Sequence, residues 1–588
     1  MVVRSISQLR LNRWLFTALA MLSILLVNIL NLHDVTAATA TKPKNVILMI
    51  GDGMGWEMAR AGAIAKGYNY TTGKGEGLSF QNLENYALAT TYGTTIAPGN
   101  GVFKTSNSAL TNSISITGGS PMLPGFRFQP EFNPGINASG GAKNPQPNAV
   151  GNLVGYDPQR GGINPWTPGN DPEYIKHSYP DSASTATTLY TGVKTYNNAI
   201  SVDIFEKPLE TILKTAADAG KSTGIVTSVP IDHATPGAAA ANVNRRQKYD
   251  GDYPSLDNIL QQELRIYQPT VILGGGHPLT GANNQSLPMG VEPATKFQYI
   301  TQSTYNELKN NPNQNRYDYT FLERGKDAAD QLKETASKLD PNQGDRLLGL
   351  YGARGQEGNL PVSTANGDYS NTGLSIFSLF SSQGQKPDKI RPLLNGETDP
   401  SFIAREINEN PTLKDLTSAA LDVLSKDQDG FWLMVEGGDI DWSAHDDNLD
   451  NLIGTVLDFD KAVKTVINWI ENNGGWENNL LIVTADHDHY LTLNPDFSEL
   501  LKSQGAEALT AEFDPQKAGH FWGSDAEIKY GWGSHTNRPV PVYYQGQGAE
   551  VLTKSVGKGF KLYGFDIPGI DGLVDQIHIY QTQLAAVK

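Results

Sequence analysis

Three apolar runs of strand length in this chain stop at carboxylates, and two of them carry histidine close behind. Asn45 to Ile50 ends in Gly51-Asp52-Gly53-Met54-Gly55. Phe431 to Val435 leads into Glu436-Gly437-Gly438-Asp439-Ile440-Asp441-Trp442-Ser443-Ala444-His445. Leu480 to Thr484 ends in Ala485-Asp486-His487-Asp488-His489, and Gly533-Ser534-His535-Thr536 precedes a last strand, Val540 to Tyr544. Carboxylate and imidazole together are a donor set for zinc and magnesium. Asp441 and His445 are spaced i, i+4, so on a helical turn both face one ion. Asp486 and His487 are adjacent and can share an ion only because the strand has ended, since within it they would point to opposite faces. One histidine here would read as a core residue, whereas several at strand ends do not. Asp52 stands where open α/β sheets present a ligand-binding residue, with a plain turn aspartate as the alternative.

A nucleophile candidate lies in Tyr179-Pro180-Asp181-Ser182-Ala183-Ser184-Thr185-Ala186. Pro180 breaks the preceding structure, Asp181 is a good N-cap, and the helix that follows runs toward Gly192, a plausible stop. Ser182 would stand at the helix N-terminus, where free N–H groups and the dipole favour a phosphoryl group. By itself this is an ordinary polar first-turn residue. The acid and histidine clusters give it chemistry to do.

The elements that must position these residues alternate between strand and helix. Leu209 to Ala219 is amphipathic and leads into the strand Gly224 to Ser228. Asp232-His233-Ala234-Thr235-Pro236 starts an Ala-rich helix toward Asn244-Arg245-Arg246, with Pro236 placed to open it. Thr270 to Leu273 runs into three glycines, and the helix Leu452 to Ile470 repeats apolar residues at Val456, Phe459, Val463, Val466 and Ile470. The pattern predicts an α/β fold with a mostly parallel central sheet, helices on both faces and loop-rich insertions. Residues 96–171 read as such an insertion. Residues 280–425 carry little signal beyond a helical patch from Asp327 to Lys338.

Composition narrows the function. The net charge of −16 argues against a nucleic-acid partner or an anionic membrane surface, and requires local positive charge at any anion site. The chain has no cysteine, which removes disulfides, thiolate ligands and thiol catalysis. Residues 1–40 read as an export leader: Arg4, Arg10 and Arg13, the apolar run Trp14 to Val27, and Ala38-Thr39-Ala40 for cleavage. An uncleaved anchor is the alternative, since Trp14 to Leu32 approaches the roughly 20 residues that span a bilayer. Asn28, Asn31 and the cleavage site favour removal. The expected product is a periplasmic or secreted protein with no membrane attachment, its catalytic domain spanning 41–588.

At these residues the chain resembles the alkaline phosphatase family, over the mature length apart from the 96–171 insertion. The matching stretches are Asn45 to Gly55, Asp181-Ser182-Ala183, Thr191 to Thr195, His233-Ala234-Thr235-Pro236, Leu273 to Gly276, Glu436 to His445, Thr484-Ala485-Asp486-His487 and Ser534-His535-Thr536. The resemblance implies two Zn2+ and one Mg2+. Asp441, His445 and His535 would bind one zinc, and Asp52, Asp486 and His487 the other. Asp52 would bridge to magnesium with Thr235 and Glu436. Arg246, eleven residues after Thr235, falls where the family places its phosphate-binding arginine, with Arg245 the competing choice. The implied activity is hydrolysis of phosphate monoesters through a phosphoserine on Ser182, in a family whose members are often homodimers.

Charge supports a monoester. Four carboxylates, Asp52, Glu436, Asp441 and Asp486, against three divalent ions leave a formal +2, and Arg246 adds one more, which suits a dianion. His489 is expected to orient a zinc ligand from outside. His233 and Trp442 stand where some family members carry Asp and Lys, so magnesium and phosphate should both be held less tightly. His33, His177, His277, His520 and His578 read as structural or surface residues. The competing functions are a phosphodiesterase on the same scaffold and a phosphate-binding surface protein without turnover. Retention of Ser182 beside a full ligand set argues against the second.

Overall fold

The central strands are apolar on both faces, as parallel strands covered on both sides must be. Val46, Ile47, Leu48 and Met49 have no exposure, and neither do Leu433, Met434, Leu481 and Ile482. The computed structural model describes residues 42–68, 73–75, 77–94, 104–105, 114–115, 127–128, 152–153, 155–176, 179–278, 297–356, 358–369 and 393–588. The leader (1–40) and most of the 96–171 insertion lie outside the described residues, as do His33 and His177.

Ten of the described strands form one sheet: β1 (Asn45–Gly51), β2 (Asn85–Thr90), β3 (Ser222–Pro230), β4 (Val271–Gly275), β5 (Thr320–Glu323), β6 (Leu347–Leu350), β7 (Phe431–Gly437), β8 (Asn479–Ala485), β9 (Val540–Gly546) and β10 (Val574–Asp575). Their spatial order is β10-β2-β9-β8-β1-β7-β3-β4-β6-β5. Every neighbouring pair is parallel except the two made by β9.

Helices cover the sheet in two groups. In one, α1 (Trp56–Ala65) and α4 (Leu413–Leu424) pack on α6 (Leu449–Asn472); in the other, α2 (Ser182–Thr191) lies between α3 (Ala234–Ala240) and α7 (Gln576–Val587). The apolar repeat of α6 faces inward, with Val456, Phe459, Val463, Val466 and Ile470 all buried. α6 approaches β7 so closely that a Cβ on Gly437 would fall 2.9 Å from the Phe459 ring.

Register sets the position of the acids. Gly51 pairs with Gly437 on one side and Ala485 on the other, while Ile50 pairs with Glu436. Asp52, Glu436 and Asp486 therefore emerge together at the carboxyl ends of three adjacent strands. α2 begins at Ser182, with the Asp181 carboxylate accepting from Ser184 N, and stops at Gly192 in the left-handed region at φ 69°.

Some elements depart from the sequence pattern. β5 and β6 lie within 280–425 and are only four residues long, too short to show a period. α3 begins at Ala234, two residues before Pro236, which is tolerated because first-turn N–H groups lack helical acceptors anyway. Among the described residues, no helix is long and apolar enough to cross a membrane.

A buried ion pair ties the loop after α2 to the junction of β10 and α7. Lys194 Nζ lies 3.1 Å from Asp575 Oδ1, and the pair is almost fully buried. Asp575 also caps α7 through Ile577 N and accepts from Thr90 Oγ1 at 2.6 Å. Lys194→Met would leave a buried carboxylate without its cation, and the unfolding free energy measured in urea is expected to fall by about 3 kcal/mol.

Candidate active site

Asp441 is the hub of the strand-end cluster. Its Oδ1 lies 2.8 Å from His489 Nε2, 3.1 Å from His535 Nε2, 3.4 Å from His445 Nε2 and 3.9 Å from His487 Nε2. The ligand atoms of Asp441, His445, His489 and His535 all lie within 4.8 Å of one another, as do those of Asp52, Asp441 and His487. Asp486 adjoins the second group, its Oδ2 3.5 Å from His487 Nε2.

Local structure brings these groups together. Asp441 and His445 share a face of the seven-residue helix α5 (Asp439–His445), whose start is pinned to β3 where Ser228 Oγ accepts from Gly438 N at 3.0 Å. His535 joins from far along the chain because His535–Thr536 pairs antiparallel with Asp488–His489, setting His535 opposite His489. Its Nδ1 donates to the Pro180 carbonyl at 2.9 Å, which aims Nε2 into the cluster. Gly53, at φ 64°, passes where a Cβ would come within 2.7 Å of the His489 ring.

Ser182 is buried beside the second group. Its Oγ lies 3.2 Å from His487 Nε2 and 3.3 Å from Asp52 Oδ1. Arg246 Nη1 donates to Asp181 Oδ2 at 3.1 Å, so the residue that caps the serine's helix also anchors the guanidinium. Arg245 turns its Nε to Gln247 instead, at 2.8 Å. On the far side of Asp52, Thr235 Oγ1 donates to Oδ2 at 3.4 Å. Glu436 accepts from Thr227 through Oε2, while its Oε1 is buried without a hydrogen-bond partner. His233 is half-buried, stacked on Tyr249 at 6.4 Å and edge-on to Trp442 at 5.7 Å.

Electrostatics fit this donor set to cations. Burial, then Asp486, Asp441 and Glu436, push Asp52 well above the carboxylate range. Burial raises Glu436 to about 7 and also raises Asp486. Burial pushes Asp441 upward too, but His445, His489 and His535 around it win and hold it well below its ordinary value. His445 and His487 are driven well down by burial, and His489 is lowered. Burial opposes protonation of His535, but its contact with Asp441 outweighs it and leaves this ring raised. Neutral imidazoles, crowded carboxylates and an orphaned Glu436 oxygen are what divalent ions would satisfy.

Several contacts were not readable from the sequence. Thr185, Thr227 and Gln576 all reach site residues. Hydroxyls and amides carry no local signal of their own, although the three-residue spacing of Thr185 from Ser182 could have flagged it. The remaining described histidines are buried and structural. His277 meets Glu323 at 3.1 Å, His520 Nδ1 meets the Ala518 carbonyl at 2.9 Å, and His578 Nδ1 accepts from Asp575 N at 3.0 Å.

A carboxylate and imidazole centre over the carboxyl ends of a mostly parallel sheet defines an α/β protein with a candidate metal centre. The alkaline phosphatase family model matches residues 169–512. Alkaline phosphatase of Escherichia fergusonii is 31% identical over 430 residues, covering 71% of this chain and 74% of that protein. Alkaline phosphatase 4 of Bacillus subtilis is 29% identical over 319 residues, covering 54% of this chain; the match spans about half the length of that relative and of the Bacillus subtilis alkaline phosphatase 3. The chain belongs to the alkaline phosphatase family. Crystal structures of a Thermus thermophilus alkaline phosphatase (TM-score 0.51, 17% identity, 93% of this chain and 91% of that one) and of a cold-active enzyme from Shewanella sp. (0.50, 20%, 92% and 100%) share its fold. The family match takes in Ser182, Arg246 and most of the cluster, but leaves out Asp52 and His535, which reach the site through β1 and the His489 pairing.

Burial raises Glu436 to about 7, burial and neighbouring carboxylates raise Asp52, and Asp441 raises His535, so a cation bound among them competes with protons and does so more as pH falls. Zinc and magnesium addition is therefore expected to release more protons per chain at pH 6.5 than at pH 8.5. Titration calorimetry in buffers of different ionisation enthalpy measures this directly.

Proposed function

We propose that this chain hydrolyses phosphate monoesters to an alcohol and inorganic phosphate, with Ser182 as the nucleophile. The observation that carries this reading is the position of Ser182 Oγ, at a helix start, 3.2 Å from His487 Nε2 and 3.3 Å from Asp52 Oδ1. Asp441, His445 and His535 would hold one zinc, and Asp52, Asp486 and His487 a second. Magnesium would be held by Asp52, Thr235 and Glu436. Bound there, the ions supply Lewis-acid stabilisation of the entering and leaving oxygens and of the transferring phosphoryl charge. His489, bonded to Asp441, orients that ligand.

Attack by Ser182 Oγ, which gives up its proton, forms the Oγ–P bond as the bond between phosphorus and the ester oxygen breaks, and that oxygen takes up a proton to leave as the alcohol. Water then breaks the serine phosphate and releases inorganic phosphate. The N-terminus of α2 would favour the phosphoryl charge on Ser182, and the Arg246 guanidinium, held by Asp181, would bind the phosphoryl oxygens. A net positive site suits a dianionic monoester better than a singly charged diester, which is why a phosphodiesterase is the weaker reading. A binding protein without turnover has no use for a serine in this position. The leader residues support export to the periplasm or outside the cell, and the family supports a homodimer.

Ser182→Ala is expected to abolish the phosphoenzyme and lower turnover by a factor on the order of 10^3 to 10^6, as loss of a nucleophile does elsewhere. Acid-quenched labelling with a radioactive monoester checks it, and label on another residue would overturn the assignment. A diester hydrolysed faster than a monoester by the wild-type enzyme would favour the phosphodiesterase.

His233 is held neutral, its pKa lowered to about 3 by burial and by Arg246, so it adds no negative charge beside the proposed magnesium ligands. His233→Asp would add one. The half-saturating magnesium concentration for activity is expected to fall severalfold, and an unchanged value would refute the charge argument.

A further inference from the structure

The two oxygens of Asp486 are held by different parts of the chain. Oδ1 accepts the main-chain N–H groups of Gly53 and His487 at 2.9 and 2.8 Å. Oδ2, the oxygen facing His487 Nε2, accepts the Thr185 hydroxyl at 2.9 Å. Thr185 is fully buried and stands three residues after Ser182, so both side chains leave the same face of the first turn of α2.

Thr185 Oγ1 also lies 3.0 Å from the Asp181 carbonyl and 3.2 Å from that of Ser182, but a hydroxyl has a single proton to give. The Asp181 carbonyl already accepts from Thr185 N at 3.1 Å. Asp486 offers a carboxylate, and charge-assisted bonds are about twice as strong as neutral ones. The proton therefore goes to Asp486.

We propose that Thr185 is a positioning residue: from the turn that carries the nucleophile, it fixes the inward-facing oxygen of Asp486, so that Ser182 and the second zinc ligand set move as one unit. This rests on the metal-dependent reading above. Thr185 touches no reacting atom and acts through Asp486.

The test is zinc retention by the full chain against a chromophoric chelator, with folding followed by circular dichroism on the same samples. Thr185→Val keeps the shape and removes the donor. It should release its more weakly held zinc about 10- to 100-fold more readily than wild type, the usual effect of losing a group that orients a metal ligand. Thr185→Ser should stay close to wild type, and Thr185→Ala should repeat the loss. Valine and alanine variants with wild-type retention, or a serine variant as leaky as valine, would overturn the role of Thr185 and leave the metal-dependent reading intact. If both deletions fail to fold with zinc present, the residue is structural and the assignment falls. Wild-type protein that holds no zinc would overturn the metal reading and this inference with it.

Discussion

Repulsion among four buried carboxylates organises this structure. Asp52, Glu436, Asp441 and Asp486 meet over the carboxyl ends of three central strands with 5% exposure or less, where unpaired charge is strongly unfavourable. The chain answers the repulsion in three ways. Asp441 is ringed by histidines, Asp486 takes main-chain and hydroxyl donors, and Asp52 and Glu436 are pushed toward the protonated state. Divalent ions held there would answer it more completely, because each would replace several of these partial solutions at once. Stability and chemistry are thus linked through the same groups.

Holding such a site open requires a scaffold that cannot relax around it. β8, β1 and β7 supply it by register, since a one-residue slip would turn each acid to the opposite face. Their runs of valine, leucine, isoleucine and methionine fill the space between two helical layers, and that burial offsets the unfavourable acid cluster at their ends. The serine comes from outside the sheet, on α2, so its distance to the acids depends on cross-links: Asp181 to Arg246, Thr185 to Asp486, and Gln576 Nε2 to the Asp486 carbonyl at 2.6 Å. The last of these originates in α7, which makes the C-terminal helix a brace for the site.

Most of this was legible where a strong local pattern coincided with chemistry. The apolar runs ending at Asp52, Glu436 and Asp486 read as buried strands and fold as such, and the capping pair Asp181 and Gly192 bounded α2 at both ends. What could not be read depends on tertiary pairing. β5 and β6 are too short to show a period, and the antiparallel direction of β9 is invisible in a run of apolar residues. The pairing of Asp488–His489 with His535–Thr536 joins residues some fifty apart by two-residue strands, so the histidine types announced a cluster but not its closure. Thr185 and Thr227 were silent for the opposite reason: their residue type is common and only their neighbours in space give them a role.

The distribution of charge bears on how an anion is drawn in. The chain carries a net charge of −16, which repels an anionic substrate at long range, although salt at physiological strength limits that reach to about 8 Å. Attraction must therefore be local. Arg246 is the guanidinium at the site, yet its charge is already partly answered by Asp181 at 3.1 Å. Its pull alone cannot outweigh four carboxylates. On the reading proposed here, the excess positive charge that recognises a dianion comes from the ions those carboxylates hold, while Arg246 contributes direction through its fork. Substrate binding and metal occupancy then become one linked equilibrium, and a residue such as Thr185, remote from phosphate, can govern both by governing Asp486.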